Sequence, residues 1–129
     1  MNIAFDAVAI LGYMSRNRGI GNYALNQFSG MVNLDKNNKY FFLNMIDKNF
    51  SLSPMITNNN FTEDFIDTGK NNVLLRNEIY SDVIGNIIKR YIRENNIDIF
   101  YITSPFESNF ILYKKEWFEG VKVISTVYD

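Results

Sequence analysis

The chain contains no cysteine and no histidine among its 129 residues. The absence of cysteine excludes disulfide bonds, thiolate metal sites and cysteine nucleophiles. The absence of histidine excludes imidazole acid–base catalysis, Ser-His-Asp triads and most zinc sites. Any acid–base group in this protein must therefore be an aspartate, a glutamate, a lysine or a tyrosine.

An excess of one charge and long apolar runs are also missing. Lysine and arginine number 13 against 14 aspartates and glutamates, so the net charge is −1. The many aromatic residues do not alternate with a basic stripe, and we expect no nucleic-acid partner. No run approaches the roughly 20 apolar residues of a membrane span, and Met1 to Asp6 has no basic leader region. A cytoplasmic location is the expectation.

Hydrophobic residues, by contrast, are abundant. They make up 47% of the chain and aromatic residues 16%, which is typical of a folded domain with a core of its own. The length predicts a single domain over residues 1–129. Two aromatic clusters, 40–42 and 117–118, are predicted to pack in this core.

Apolar runs of strand length alternate with segments of helical periodicity. This alternation predicts an α/β fold with a mostly parallel sheet. A buried strand is expected from Asn2 to a point between Phe5 and Ala9, followed by a loop. The other predicted strands are 40–46, 97–102 and 121–127, with short candidates at 61–66 and 73–75. The predicted helices are 21–32 and 79–94, the second capped by Asn77 and ended by Asn95-Asn96, and 47–60 is predicted to be loop.

The segment 15–24, Ser-Arg-Asn-Arg-Gly-Ile-Gly-Asn-Tyr-Ala, carries the clearest functional signal. Two arginines lead into Gly19 and Gly21, and the glycines lead into a predicted helix. Glycine allows a ligand to approach the backbone closely, and a helix start presents free N–H groups and partial positive charge. Arg18, Gly19, Ile20 and Gly21 are therefore predicted to bind an anionic group such as a phosphate.

The same segment also fits a dinucleotide-binding fingerprint in form, as Gly19-x-Gly21-x-x-Ala24. In that fingerprint the first glycine directly follows the strand, whereas here about eight residues intervene after Ile10. Asp47 stands roughly where a ribose-binding carboxylate is expected. A purely structural role for the glycines, shaping a loop and a helix start, is the other interpretation of this segment.

Ligands of parallel α/β sheets bind outside the carboxyl ends of the strands. Ser104 and Glu107 follow the predicted strand 97–102 and are candidates to hydrogen-bond a polyol, although a strand-ending turn at Pro105 explains them equally well. Asp129 is the one carboxylate predicted directly at a strand's carboxyl end, as a catalytic group or as a cap. Asp6 is expected either at a strand end or hydrogen-bonded to loop backbone.

Four segments together resemble the N-terminal half of retaining glycosyltransferases of family 4, also called group 1. They are 2–7 (Asn-Ile-Ala-Phe-Asp-Ala), 18–23 (Arg-Gly-Ile-Gly-Asn-Tyr), 98–107 (Asp-Ile-Phe-Tyr-Ile-Thr-Ser-Pro-Phe-Glu) and 123–129 (Val-Ile-Ser-Thr-Val-Tyr-Asp). The resemblance covers essentially the whole chain, in the family's order. It implies the GT-B fold, in which two Rossmann-like domains, each with helices on both faces of its sheet, border a cleft.

The resemblance implies that residues 1–129 form the acceptor-side domain and that the donor-binding domain is absent. The parent enzyme would transfer a hexose from a nucleotide sugar to a glycan or a cell-surface polysaccharide, without a metal. Arg18 to Gly21 match the family's glycine-rich cleft loop, and Ser104, Glu107 and Asp129 would line the acceptor side. Tyr128 stands where some relatives have histidine, which departs from the family.

The chain by itself is expected not to transfer sugar, because the domain that holds most of the donor is missing. Its final predicted strand lacks a covering helix, so we expect self-association or marginal stability. Peripheral membrane association is expected only through the full-length protein. Two other functions stay open: a self-contained nucleotide- or dinucleotide-binding module, and a non-catalytic structural fragment.

Overall fold

The computed structural model describes residues 1–69, 81–105 and 113–127. Within them the chain forms five strands and three α-helices, joined by short 3₁₀ turns at Ser53–Met55 and Lys115–Phe118. In chain order the elements are β1 (Asn2–Asp6), α1 (Val8–Leu11), α2 (Gly19–Leu34), β2 (Lys39–Asn44), β3 (Phe61–Phe65), α3 (Ser81–Glu94), β4 (Ile99–Ile102) and β5 (Lys122–Ser125).

The five strands form one sheet in the order β3-β2-β1-β4-β5, and every pair is parallel. β1 lies at the centre, with Phe5 opposite Phe42 of β2 and Tyr101 of β4. The predicted α/β fold with a parallel sheet is confirmed. Along the chain, β2 and β3 are added on one side of β1, and β4 and β5 are then added on the other side. The direction in which successive strands are added therefore reverses between β1 and β4.

Successive side chains of β1 point to opposite faces of the sheet, and each face is covered by a helix. Ala4 belongs to a cluster of buried residues with Ile84 and Ile88 of α3. Phe5 belongs to a second cluster with Ala24 and Phe28 of α2, and its ring stacks on that of Phe28 with centroids 4.6 Å apart. Helices on both faces are thus confirmed, with a core on each side.

The two aromatic clusters lie in these cores. Tyr40 and Phe42 are buried in the α2-side cluster, and Trp117 and Phe118 are buried in the α3-side cluster. Phe41 is partly buried against the α3 side. The prediction that these aromatic residues pack in the core is confirmed.

The prediction of a loop directly after β1 is wrong, because α1 forms there. The Asp6 carboxylate accepts a hydrogen bond from the Val8 N–H at 3.0 Å, which starts the helical turn. Apolar residues fill this turn, and all of Val8–Leu11 is buried. Their burial beneath α2 explains why an apolar run that resembles a strand continuation folds as a helix instead.

Other predicted boundaries move by a few residues for local reasons. β2 ends at Asn44, and not at Ile46, because the Asn44 side chain accepts hydrogen bonds from the N–H groups of Ile46 and Asp47. β4 begins at Ile99, since the Ile97 N–H closes the end of α3 on the Ile92 carbonyl at 3.0 Å.

α2 is longer than predicted at both ends, and β5 is shorter. The end of α3 at Asn95-Asn96 is confirmed, with Asn96 in the left-handed region at φ 51°. The short strand at 61–66 is confirmed as Phe61–Phe65. The predicted strand at 73–75, the Asn77 cap, Glu107, Tyr128 and Asp129 lie outside the described residues.

Candidate functional site

The strand order reverses between β1 and β4, and attention therefore falls on the carboxyl ends of these two strands. Crevices at this point of an open parallel sheet are the usual ligand sites of the architecture. Asp6 ends β1, and Thr103 follows β4 directly. Both side chains are buried, with Asp6 1% and Thr103 0% exposed, and they are hydrogen-bonded to each other.

The Asp6 carboxylate is the centre of a buried hydrogen-bond network. One oxygen accepts from the N–H of Val8 at 3.0 Å, from the N–H of Thr103 at 3.2 Å and from the Thr103 hydroxyl at 2.5 Å. The Tyr113 hydroxyl donates to the other oxygen. Asp6 thereby joins the end of β1, the start of α1, the end of β4 and the segment before the last 3₁₀ turn.

Burial dominates the ionisation of this network. It raises the pKa of Asp6 above its usual range, although the hydrogen bonds from Thr103, Tyr113 and Val8 act in the opposite direction. Burial, with the neighbouring Asp6 charge, also raises the pKa of the Tyr113 hydroxyl well above its ordinary value. Tyr113 is therefore a hydrogen-bond donor throughout the physiological range and not a base.

Asp6 corrects one sequence prediction. Asp129 was expected to be the one carboxylate directly at a strand's carboxyl end, yet Asp6 occupies that position on the central strand. Both alternatives considered for Asp6 hold at once, because it ends β1 and also accepts a hydrogen bond from loop backbone. An acidic residue inside an apolar run was the signal available in the sequence, but nothing there indicated its partners Thr103 and Tyr113.

The Thr103 hydroxyl connects the ends of β1 and β4 to helix α1. It donates to Asp6 and accepts from the N–H of Ala9 at 2.9 Å. The Ala9 carbonyl in turn lies 3.1 Å from the point that a Cβ on Gly21 would occupy. α1 is thus held between the end of β4 on one side and the start of α2 on the other, which brings two of the predicted site segments to the same edge of the sheet.

The start of α2 is open toward this edge. Asn17 adopts a left-handed conformation with φ 61°, and Arg18 is extended and makes no side-chain cap. The first helical hydrogen bond runs from the Asn22 N–H to the Arg18 carbonyl at 2.8 Å. The N–H groups of the three residues between, 19–21, precede that bond and belong to the first turn of the helix, whose N–H groups have no partner within the helix itself. Such a turn attracts anions.

The two glycines of this turn have different surroundings. A Cβ on Gly21 would lie 2.3 Å from the Ser15 carbonyl oxygen, so this glycine is required by the packing of α2 on the preceding loop. A Cβ on Gly19 would meet nothing within 4 Å. Packing therefore explains why position 21 is a glycine. It does not explain Gly19, which is exposed beside Arg18.

The two arginines of the segment, Arg16 and Arg18, also have different surroundings. Arg16 pairs with Asp47 at 2.9 Å, which ties the loop before α2 to the loop after β2. The Asn49 N–H and Arg16 together lower the pKa of Asp47. Asp47 is thus engaged with protein groups and not free for a ribose. Across residues 1–69, 81–105 and 113–127, no carboxylate lies within 4.0 Å of the Arg18 guanidinium, so Arg18 is the arginine left for a ligand.

Of the remaining predicted site residues, Ser104 lies directly after Thr103 and is 6% exposed. The structure therefore brings Arg18, Gly19, Ile20, Gly21 and Ser104 to the carboxyl edge of β1 and β4, with Ser104 mostly covered. Glu107 and Asp129 lie outside the described residues, so their positions relative to this edge stay predictions.

The described residues contain neither a metal-binding cluster nor a membrane-spanning helix. Among them, no group of three or more acidic side chains is arranged to hold a metal ion. No helix in that same part of the chain has the length and apolar character needed to cross a membrane.

Comparison of the chain with protein-family models, with curated protein sequences and with solved structures gives no match.

Proposed function

We propose that this chain is the N-terminal, acceptor-side domain of a retaining glycosyltransferase of family 4 with the GT-B fold. The observation that carries the proposal is the first turn of α2, which lies at the carboxyl edge of a parallel sheet. There Gly19 is exposed, and Arg18 has no ion pair with any carboxylate of the described residues. This edge adjoins the reversal of strand order between β1 and β4, where ligands of such sheets bind. The proposal combines that geometry with the resemblance of the four sequence segments.

In the proposed parent enzyme, a hexose passes from a nucleotide sugar to a glycan or cell-surface polysaccharide with retention of configuration. Arg18 and the N–H groups of residues 19–21 contact the diphosphate and stabilise the charge that develops as it leaves. No metal is required for that role. Ser104, Glu107 and Asp129 contribute to the acceptor side, with Asp129 as the candidate catalytic group. The domain alone lacks transferase activity, and the enzyme works in the cytoplasm.

The proposal is tested by titrating pyrophosphate into the ¹⁵N-labelled chain and following amide chemical shifts. We expect the amides of residues 19–22 to shift, because the anion binds at the start of α2. Arg18→Gln should weaken binding several-fold, because a charge-assisted hydrogen bond is lost. Arg90→Gln, which removes an exposed arginine of α3, is the matched control and should leave binding unchanged.

Two results would contradict the proposal. Shifts that spread evenly over the lysines and arginines, and that Arg18→Gln does not reduce, would mean that the anion binds by net charge alone. Micromolar binding of NAD or FMN in isothermal titration would favour a self-contained nucleotide-binding module instead. A chain that begins with this domain and transfers hexose from a nucleotide sugar would provide the positive test of the reaction itself.

A further inference from the structure

The two edges of the sheet are protected to very different degrees. At one edge, β3 carries Glu63, whose carboxylate accepts hydrogen bonds from the Ser51 and Ser53 hydroxyls and from the N–H groups of Leu52 and Ser53. A loop is thereby fastened to that strand, and its charges disfavour pairing with another strand. At the other edge, all four residues of β5 are exposed, and its centre is Val123-Ile124, 44% and 43% exposed.

The register fixes which backbone groups of β5 are unpaired. The Lys122 N–H donates to the Asp98 carbonyl at 3.1 Å, so Lys122 points its backbone groups inward to β4. Because this direction alternates along a strand, Ile124 also pairs inward, and the N–H and C=O groups of Val123 and Ser125 point outward. Within the described part of the chain, no strand neighbours β5 on that side.

We propose that β5 pairs with β5 of a second copy of this chain, antiparallel about a twofold axis through Ile124. Opposite residues of an antiparallel pair share a face, so Ile124 can oppose Ile124, or Val123 can oppose Val123. With Ile124 opposite Ile124, Val123 of each copy lies opposite Ser125 of the other copy. These two pairs are hydrogen-bonded, and all outward N–H and C=O groups of both residues are satisfied. The alternative register satisfies only those of Val123.

Charge and surface chemistry favour this self-pairing. The one charged residue of β5, Lys122, then faces Thr126 of the other copy, so the two lysines are not opposed. The two Ile124 side chains meet at the closer, non-hydrogen-bonded type of position, where apolar pairs stabilise a sheet. A pair of four-residue strands buries much less than the roughly 800 Å² per partner of a stable interface. The dimer is consequently weak and forms at high protein concentration.

Sedimentation velocity over a range from low micromolar to near-millimolar concentration tests the pairing. The unmodified chain should show a sedimentation coefficient that rises with concentration. Ile124→Lys places like charges directly opposite each other and should weaken association about tenfold or more. Val83→Lys is the matched control, because Val83 is 42% exposed on α3, and it should associate like the unmodified chain.

Variants of opposite charge at position 124 test the proposed register, in which Ile124 of one copy lies opposite Ile124 of the other. Ile124→Glu alone should also stay monomeric, whereas an equimolar mixture of Ile124→Glu and Ile124→Lys should associate again, because opposite charges then meet at the axis. That rescue also shows that both variants are folded. Ser125→Pro removes an outward N–H while keeping the bonds to β4, and it should weaken the dimer.

The proposal is overturned if the unmodified chain is monomeric throughout, if Ile124→Lys associates as strongly as Val83→Lys, or if mixing the two charged variants restores nothing. It does not rest on the proposed function, since it concerns only the 129-residue chain and its β5 edge.

Discussion

Gly21→Ala is expected to destabilise the protein, although the same substitution elsewhere in α2 should stabilise it. A Cβ at position 21 would lie 2.3 Å from the Ser15 carbonyl oxygen and 3.0 Å from its carbon. A carbon and an oxygen in close, favourable contact are about 3.3–3.6 Å apart, so the backbone must move by about 1 Å. The overlap is with main chain, which cannot rotate away as a side chain does.

The Ser15 segment is poorly able to make that movement. Ser15 is 1% exposed, its hydroxyl donates to the Val8 carbonyl at 3.3 Å, and its own carbonyl accepts from the Arg18 N–H at 3.0 Å. Overpacking of this kind costs about 1–3 kcal/mol. Replacing a helical glycine with alanine gains about 0.5–1 kcal/mol. The difference between these two ranges is a net loss of about 0–2.5 kcal/mol, centred on about 1 kcal/mol.

Gly30→Ala is the matched control, because a Cβ there would meet nothing within 4 Å in the same helix. It should stabilise the protein by about 0.5–1 kcal/mol. Urea denaturation followed by circular dichroism measures both variants. With a slope of about 1–3 kcal/mol per molar urea, the two midpoints should differ by about 1 M. A Gly21→Ala midpoint equal to or above that of Gly30→Ala would refute the packing of α2 on Ser15.

Three further predictions concern buried and surface groups. Burial raises the folded-state pKa of Asp6 above its unfolded value, so stability from this group is present below about pH 4 and is lost as the pH rises through the folded pKa. The unmodified chain should therefore lose stability relative to Asp6→Asn as the pH rises above about 4, and a difference in unfolding free energy that stays constant with pH would contradict this. Gly85→Ala puts a Cβ 2.4 Å from Nε1 of Trp117, the one tryptophan of the chain, and should shift its fluorescence and cost about 1–3 kcal/mol; an unchanged spectrum and midpoint would argue against the contact. Arg16→Ala should cost only about 0.2–1 kcal/mol, and the cost should fall in high salt, because its pair with Asp47 is partly exposed to solvent; a salt-independent loss would show a different role for Arg16.

Local chemistry made much of the fold predictable. The apolar runs that became β1, β2 and β4 are continuous because strands of a parallel sheet are buried on both faces. The apolar stripe of α3 and the Asn95-Asn96 stop depend on neighbours within a few residues. The observed strand boundaries differ from the predicted ones where a backbone group has a hydrogen-bond partner that the sequence pattern does not reveal. For example, the Asn44 side chain accepts hydrogen bonds from two N–H groups, and β2 ends there.

The candidate site was predictable only in part. Two glycines and an arginine before a helix are a local signal, and in the structure α2 begins at the exposed Gly19. The different roles of Gly19 and Gly21 depend on the Ser15 carbonyl, and those of Arg16 and Arg18 on Asp47, which is 31 residues away from Arg16. Such partners are set by the course of the chain between elements and not by the residues beside the motif.

The sequence alone determined that this protein alternates strands and helices and has no histidine or cysteine side chain, and it predicted an anion-binding turn before the first long helix. Those properties follow from composition and from periodicities of a few residues. The tertiary structure alone decided that Asp6, Thr103 and Tyr113 share one buried network, since Asp6 and Tyr113 are 107 residues apart in the chain. It also decided that β5 is the last strand of the sheet formed by the described residues, because strand order is a property of the assembled sheet.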